Sequence, residues 1–306
     1  MEKTNDSSQS VDSQLVDVSI VIACFNCQET LPETLAALCL QKWSGVWEIV
    51  LADNGCSDRS REVFLEYSER YPQVAMRVVD ASQAQGQPHA LNCGVRESLG
   101  RSVLFCDADD VVGPGWLAAM GSALAENEFV AARMDFKQLN GAIARAYRRN
   151  SQETKLQTVE YPPYLPHAGG GTIGFSKKLF ERVGEFDRTL PILHDTDFCF
   201  RAQLAGFELR FVPDAVIYIR TRSDLKGIYR QGFNYAKYNV VLSKRYRAFG
   251  RPAARRWRRF FGLWISTLRG VARSRKGAPE MARAYRMLGW AVGITAGIIR
   301  ERVPPP

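Results

Sequence analysis

The sequence predicts an α/β protein, with a mostly parallel sheet flanked by helices and a basic, mainly helical C-terminal extension. Three observations carry that expectation. Short apolar runs alternate with amphipathic stretches, the pattern of strands and helices taken in turn. Polar residues stand where several of those runs end, at Asn26, Asp53 and Asp107 to Asp110, and sheets of this class bind ligands outside the carboxyl ends of their strands. Charge is divided unevenly: residues 1–215 hold 20 Lys and Arg against 29 Asp and Glu, whereas residues 216–306 hold 21 against 3.

The 306 residues suffice for one large domain or two modest ones. With 46% hydrophobic and 24% charged residues the composition is that of an ordinary soluble globular protein. An acidic body with a basic tail points to an anionic partner, either a membrane surface or a nucleic acid. The seven cysteines are an odd, scattered set, mostly inside apolar runs. There they serve as small hydrophobes, and a reducing cytoplasm is the expected home. Cys24-Phe-Asn-Cys27 has redox or zinc spacing, but no second pair follows it. Residues 1–16 are expected to be a polar, disordered tail, neither signal peptide nor membrane span. The longest late apolar stretch, Leu288 to Ile299, has 12 residues, too few for the roughly 20 that cross a bilayer.

In chain order, Val18 to Phe25 reads as a buried first strand. Thr30-Leu-Pro-Glu33 has the capping-box pattern, with Pro early in a helix that carries Leu35, Leu38 and Cys39 on one face. Trp47 to Asp53 supplies a second strand ending in the turn Asn54 to Asp58. A helix from about Ser60 to Tyr71 stops at Pro72, and Val74 to Val79 is a third strand. Gly86 to Gly94 opens a helix that ends near Gly100. Ser102 to Cys106 is a fourth strand, running into Asp107-Ala-Asp-Asp110. A helix after Trp116 and a strand around residues 129–136 follow, then a less regular basic segment to about Tyr164. Pro166 to Gly171 is a flexible loop that lets backbone approach a ligand. Helices over Lys177 to Val183 and from His194 to Gly206 complete this part. Gly-rich dinucleotide binding is excluded, because the first strand runs into Cys-Phe-Asn-Cys-Gln-Glu with no glycine.

The acidic strand end carries the chemistry. Three carboxylates around one alanine repel one another and resist desolvation, so a divalent cation or a solvated strand end accounts for them. Asp107 and Asp109 point the same way in extended backbone. Hard oxygen ligands suit magnesium or manganese better than zinc. Asp195 reads either as a helix cap or as a functional acid.

Several motifs resemble those of family 2 glycosyltransferases of the GT-A fold, and they occur in the family's order. Val18 to Asn26 is similar to the opening strand and its P-T-Y-N end. Ala52-Asp-Asn-Gly-Cys-Ser-Asp58 is similar to the D-N-G-S-x-D turn. Gly86 to Gly94 resembles G-x-x-x-A-R-N-x-G, with Leu91 in place of Arg. Asp107-Ala-Asp109 stands at the D-x-D position. Val183-Gly-Glu-Phe-Asp187 with His194-Asp-Thr-Asp197 resembles V-G-G-F-D … E-D-T-D, and Val212-Pro-Asp-Ala215 matches a closing strand.

The resemblance covers about residues 18–215 and divides the chain into a catalytic domain, 17–219, and a basic extension, 220–306. It implies an inverting, metal-dependent transfer of sugar from a nucleotide-diphospho-sugar to a glycan or lipid-linked acceptor in cell-envelope or exopolysaccharide synthesis. Donor contacts are implied at Ala23, Phe25, Asn26, Asp53, Ala90, Asp107 and Ala108. Mn2+ or Mg2+ is implied at Asp109 with Asp107, and the catalytic base at Asp195. His167, Gly170, Gly171, His194 and Gln231 are acceptor-side candidates, with a solvated helix start as the plainer reading of His194. Two departures stand out: His194 replaces the usual Glu, and Arg220 stands where relatives carry a metal-binding His. A catalytically silent nucleotide-sugar-binding protein is therefore the second reading. In the tail, Lys244 to Arg259 holds eight basic residues and no acid, with Tyr246, Phe249 and Trp257 interleaved. That pattern suits an anionic membrane surface. No nucleic-acid motif accompanies it, and a peripheral place on the cytoplasmic membrane face is expected.

Overall fold

The computed structural model describes residues 15–147, 152–251 and 256–306. The expected N-terminal tail lies, as far as residue 14, outside the described residues. β1 (Val18–Cys24), β2 (Trp47–Asp53), β3 (Ala75–Asp80) and β4 (Ser102–Phe105) form a parallel half-sheet in the order β3-β2-β1-β4. Beyond β4 the sheet turns mixed. β7 (Ile173–Ser176) is antiparallel both to β4 and to β6 (Phe129–Asp135), while β8 (Arg210–Tyr218) is parallel to β6 and pairs with the short β5 (Val111–Val112). The mostly parallel expectation thus holds for the first four strands and for the β6–β8 pair, while the pairings of β7 and of β5 run antiparallel.

Alternation along β1 shows why both faces are covered. Ile20 and Ile22 join a core with Leu35 and Leu38 of α1 (Leu31–Cys39), Phe64 of α2 (Ser60–Arg70) and Trp116 of α4 (Trp116–Glu126). Val21 points the other way, beside Val50, Val103 and Phe105 and the helix α3 (Gln87–Glu97). Below that second face a group of rings supports α6 (Lys177–Val183) and α7 (His194–Leu204). Phe186 stacks on Phe198 at 4.4 Å, and Phe175 lies 5.2 Å from Phe198. Burying each such side chain contributes about 1.5–3 kcal/mol, so the start of α7 rests on a rigid floor.

The expected capping box at Thr30 does not form. Thr30 takes helical dihedrals and makes no side-chain cap. Its hydroxyl donates instead to the carbonyl of Ala108 (3.1 Å), and that of Thr34 donates to the carbonyl of Asp110 (2.7 Å). The start of α1 therefore braces the acidic loop after β4.

α5 (Ala142–Tyr147) lies in the segment read as irregular. After β8 come α8 (Leu225–Arg245), α9 (Arg256–Arg273) and α10 (Ala278–Glu301). α8 and α10 pack backbone to backbone: a Cβ on Gly289 would stand 2.3 Å from the carbonyl of Tyr229, and one on Gly293 2.3 Å from that of Phe233. Arg245 ties α8 back to α7, pairing with the fully buried Asp197 (2.8 Å) and with Asp187 (2.7 Å). Among the described residues no helix is long and apolar enough to cross a membrane.

Candidate active site

The carboxyl ends of β1 and β4, the loop before β7, the start of α7 and the inner sides of α8, α9 and α10 enclose one cleft of about 2540 Å³. A pocket for a single drug-sized ligand occupies roughly 300–1,000 Å³, so this cleft has room for two substrates side by side. It gathers residues far apart in sequence: Phe25 and Asn26, Asp107 to Asp110, His167 to Thr172, His194 and Asp195, and Gln231. Ala23, Ala90 and Ala108 line it as well. Phe25 is not a core aromatic; it is 51% exposed to the cleft. Asn26 leaves β1 at φ 52°, and its Oδ1 accepts from the amides of Ser57 (2.8 Å) and Asp58 (3.3 Å). The end of the first strand and the turn after the second are thereby locked together.

Asp53 departs from the expectation. It is nearly buried at the end of β2 and is not part of the cleft wall, where Asn54 and Asp58 stand instead. Its Oδ1 accepts from the amides of Gly55 (3.2 Å) and Cys56 (2.9 Å), and Oδ2 lies 3.7 Å from Arg61. The tight turn draws the carboxylate back onto its own backbone.

Asp107 and Asp195 face each other across two glycines. The amide of Gly170 donates to Asp195 Oδ2 (2.8 Å), and a Cβ on Gly171 would stand 2.7 Å from the Asp107 carboxyl. No larger residue fits at that second position. Burial, then the charges of Asp109 and Asp195, push the Asp107 carboxyl up to about 7, although Gln87 donates to its Oδ1 (2.9 Å). Burial also raises Asp109, opposed by Arg222 and Arg220.

Asp195 is not the N-cap of α7. That position belongs to Leu193 in left-handed conformation, φ 62°, an uncommon state for a branched residue that recurs at functional sites. Asp195 Oδ1 accepts from the amide of Thr196 (2.7 Å), so both oxygens are held by backbone donors. His194 is not at the surface; it is 5% exposed, edge-on to Phe186 at 5.8 Å, and burial lowers its basicity. His167 is also buried, beside Phe200, and burial brings it down to about 4.

Several supporting residues escaped the sequence reading. Gln152 is buried at φ 64°. Its Nε2 donates to Ala132 O (2.8 Å) and Thr172 Oγ1 (2.6 Å), and its Oε1 accepts from Gly169 N (3.0 Å). It fixes the glycine loop, yet one Gln in an irregular stretch gives no signal. Arg220 does not take a metal-binding place. Its backbone amide donates to Asp110 Oδ1 (2.8 Å), its Nε to Asp109 O (3.0 Å), and its guanidinium pairs with Glu33. Basic residues are unmistakable in sequence, but what this one holds is not.

No group of three or more His, Cys, Asp or Glu among the described residues is arranged to hold a metal ion. Asp107 and Asp109 nevertheless fit Mg2+ or Mn2+, which bind commonly through one or two carboxylates together with substrate phosphates.

Fold and site together define the class, the GT-A glycosyltransferase fold with acids gathered at the carboxyl ends of its strands. Solved structures share that fold. A mannosyltransferase from Pyrobaculum calidifontis in complex with GDP-Man and Mn2+ superposes with a TM-score of 0.60 at 18% identity, covering 92% of this chain and 75% of its own. Residues 1–349 of S. aureus TarS in complex with UDP-GlcNAc give a TM-score of 0.53 at 15% identity over 94% and 93% of the two chains. The chain belongs to glycosyl transferase family 2, whose model matches residues 19–184, and a second model, glycosyl transferase family group 2, matches residues 102–298. Poly-beta-1,6-N-acetyl-D-glucosamine synthase of Staphylococcus epidermidis is 23% identical over 252 residues, 76% of this chain but only 58% of the synthase. Glycosyltransferase AglE of Haloferax volcanii is 27% identical over 207 residues, 67% of each chain.

Proposed function

We propose that the protein is an inverting, metal-dependent glycosyltransferase that moves a sugar from a nucleotide-diphospho-sugar to a hydroxyl of a glycan or lipid-linked acceptor. One observation carries this reading: Asp107 and Asp195 flank the Gly170-Gly171 loop in a single cleft that Asp109 also lines. Phe25 and Asn26 would take the donor nucleotide, with the Asn54 to Asp58 turn beneath the base. Asp53, drawn back onto the Gly55 and Cys56 amides, would hold the shape of that turn rather than touch the base. Bound at Asp109 and Asp107, Mn2+ or Mg2+ supplies charge neutralisation to a departing diphosphate. Neighbouring folds crystallised with GDP-Man and Mn2+ or with UDP-GlcNAc support donors of this kind.

Asp195 would take the proton of the acceptor hydroxyl as it attacks the anomeric carbon opposite the leaving diphosphate. The Gly170 and Thr196 amides keep its carboxylate aimed. One displacement inverts the anomeric centre, and no carboxylate nucleophile is required, unlike the case of retaining glycosidases. Likeness to a poly-N-acetylglucosamine synthase supports a place in polysaccharide assembly.

The acceptor side supports a membrane location on the cytoplasmic face. α9 lines the cleft with Arg259, Leu263, Arg269 and Arg273. Outward it shows Trp257, Phe261, Ile265, Leu268 and Val271, all exposed and spaced by three or four residues. A basic helix with an unpartnered apolar stripe suits the headgroup region of an anionic leaflet, and a lipid-linked acceptor there would enter beside α9.

The test is release of nucleoside diphosphate from a panel of uridine, guanosine and thymidine diphosphate sugars with Mn2+. Asp195→Asn is expected to lower turnover by about 10²–10⁴ while donor affinity stays unchanged. Donor binding without turnover in the unaltered protein would instead establish the silent binding protein.

A further inference from the structure

Three thiols meet under the cleft floor where β1 ends. Cys24 Sγ lies 2.9 Å from Cys27 Sγ and 3.6 Å from Cys56 Sγ, all three as free cysteines. Forming a bond of about 2.05 Å between the first two requires less than one ångström of approach. Cys24 is buried and Cys27 half-buried, and both border the cleft. Only Phe25 and Asn26 separate them in the chain. The pair is asymmetric in the way a redox pair needs. The hydrogen bond with Cys24 and the nearby Ser60 hydroxyl favour the Cys27 thiolate, whereas that same bond and burial push the Cys24 thiol up. The remaining cysteines lack this arrangement: Cys39 and Cys106 sit in the core without a sulfur neighbour among the described contacts.

We propose that Cys24 and Cys27 are a reversible oxidation site that closes under peroxide-class oxidants and reopens with dithiols. The steps balance. The Cys27 thiolate attacks one peroxide oxygen, the O–O bond breaks, and hydroxide takes a proton as water, leaving a sulfenic acid on Cys27. The Cys24 sulfur then attacks the Cys27 sulfur. The S–S bond forms, the S–O bond breaks, and the departing hydroxide leaves as a second water with the Cys24 proton. Two thiols lose two electrons in total and one hydrogen peroxide becomes two waters. The bridge pins the backbone of Phe25 and Asn26, and through Asn26 the turn at Ser57 and Asp58, so oxidation weakens nucleotide binding. That consequence rests on the donor-site reading above; the thiol chemistry does not.

Peptide mapping of the whole chain tests it. No Lys or Arg lies between Lys3 and Lys42, so trypsin releases Cys24, Cys27 and Cys39 in one peptide and Cys56 in the next. After hydrogen peroxide and alkylation without reductant, the first peptide is expected to be two hydrogens lighter with one alkylated cysteine, Cys39. A phosphine reductant restores three alkylations, and Cys27→Ser shows no two-hydrogen loss. Three alkylated cysteines after peroxide, or a cross-link joining the two peptides, would overturn the assignment. Affinity for UDP with Mn2+, measured calorimetrically, is expected to fall about tenfold on oxidation and to recover on reduction, with no response to peroxide in Cys27→Ser. A bridge with unchanged UDP affinity overturns the coupling to the cleft. A bridge in a protein that binds none of uridine, guanosine or thymidine diphosphate upholds the thiol site and removes the donor reading instead.

Discussion

His167 shows how a residue flagged for its chemistry is redefined by its surroundings. In sequence it is a histidine before three glycines; in the fold it is buried against Phe200, and burial brings its titration down to about 4 from 6.5. Between those pH values the unfolded chain takes up a proton that the native chain refuses. Stability from this group is therefore whole above pH 6.5 and lost as pH falls towards 4. Asp107, raised to about 7, tilts the profile the other way, so the difference between wild type and His167→Gln is the useful readout. Urea midpoints from about pH 7 down to about pH 4.5 should show the wild type losing about 2 kcal/mol more than the variant. A constant difference would mean that the folded protein protonates His167 freely. The acids at positions 107 and 109 were legible because a strand ending in carboxylates has few physical excuses, whereas Asp195 was marked only by the resemblance of its motif. Asp53 was legible as a turn acid, but not its retreat onto the Gly55 and Cys56 amides, since hydrogen-bond partners two and three residues away are chosen by turn geometry. Gln152 and Thr34 were illegible: neither pattern nor charge marks a side chain whose partners lie 20 or 76 residues off.

At the scale of elements, α8 and α10 are the instructive pair. Gly289, Gly293 and Gly297 recur every fourth residue and meet α8 at backbone distance. Such a small-residue row lets helices approach closely, in water as in lipid. The repeat stands in the sequence, but its spacing alone does not say which helix it meets. Gly293→Leu places a side chain where the first carbon already stands 2.3 Å from the carbonyl of Phe233 and 2.9 Å from Cβ of Ala236. A loss of about 1–3 kcal/mol is expected from such overpacking, read as a lower urea midpoint and faster proteolysis within α8 and α10. Unchanged stability would show that the helices slide apart without cost. The first four strands, α6 and α7 were legible to within a residue or two, because apolar runs bounded by turn residues leave little choice. β7 was not, since nothing in Ile173–Ser176 says which strand it pairs with or in which direction.

For the whole molecule, the division of charge foretold a basic surface, and the fold shows what it accompanies. α9 carries an exposed apolar stripe on one side and lines the cleft with arginines on the other. The protein is expected to sediment with vesicles containing an anionic phospholipid and to remain free with neutral ones, each basic residue near the surface contributing roughly 1 kcal/mol. The double variant Phe261→Ser, Leu268→Ser should weaken that binding about tenfold, and added salt should weaken both proteins. Equal binding to neutral vesicles, or none to anionic ones, would remove α9 from the membrane. Composition, periodicity and motif order by themselves determined the α/β class, the acidic chemistry and the basic tail, because those depend on which residues occur and at what local spacing. Only the tertiary structure decided that Asp107 and Asp195 face each other across two glycines, that Asp197 receives Arg245 from the tail, and that the Cys56 sulfur joins that of Cys24 under the cleft. Those facts belong to pairs distant in the chain, whose meeting is set by strand order and helix packing rather than by any local preference.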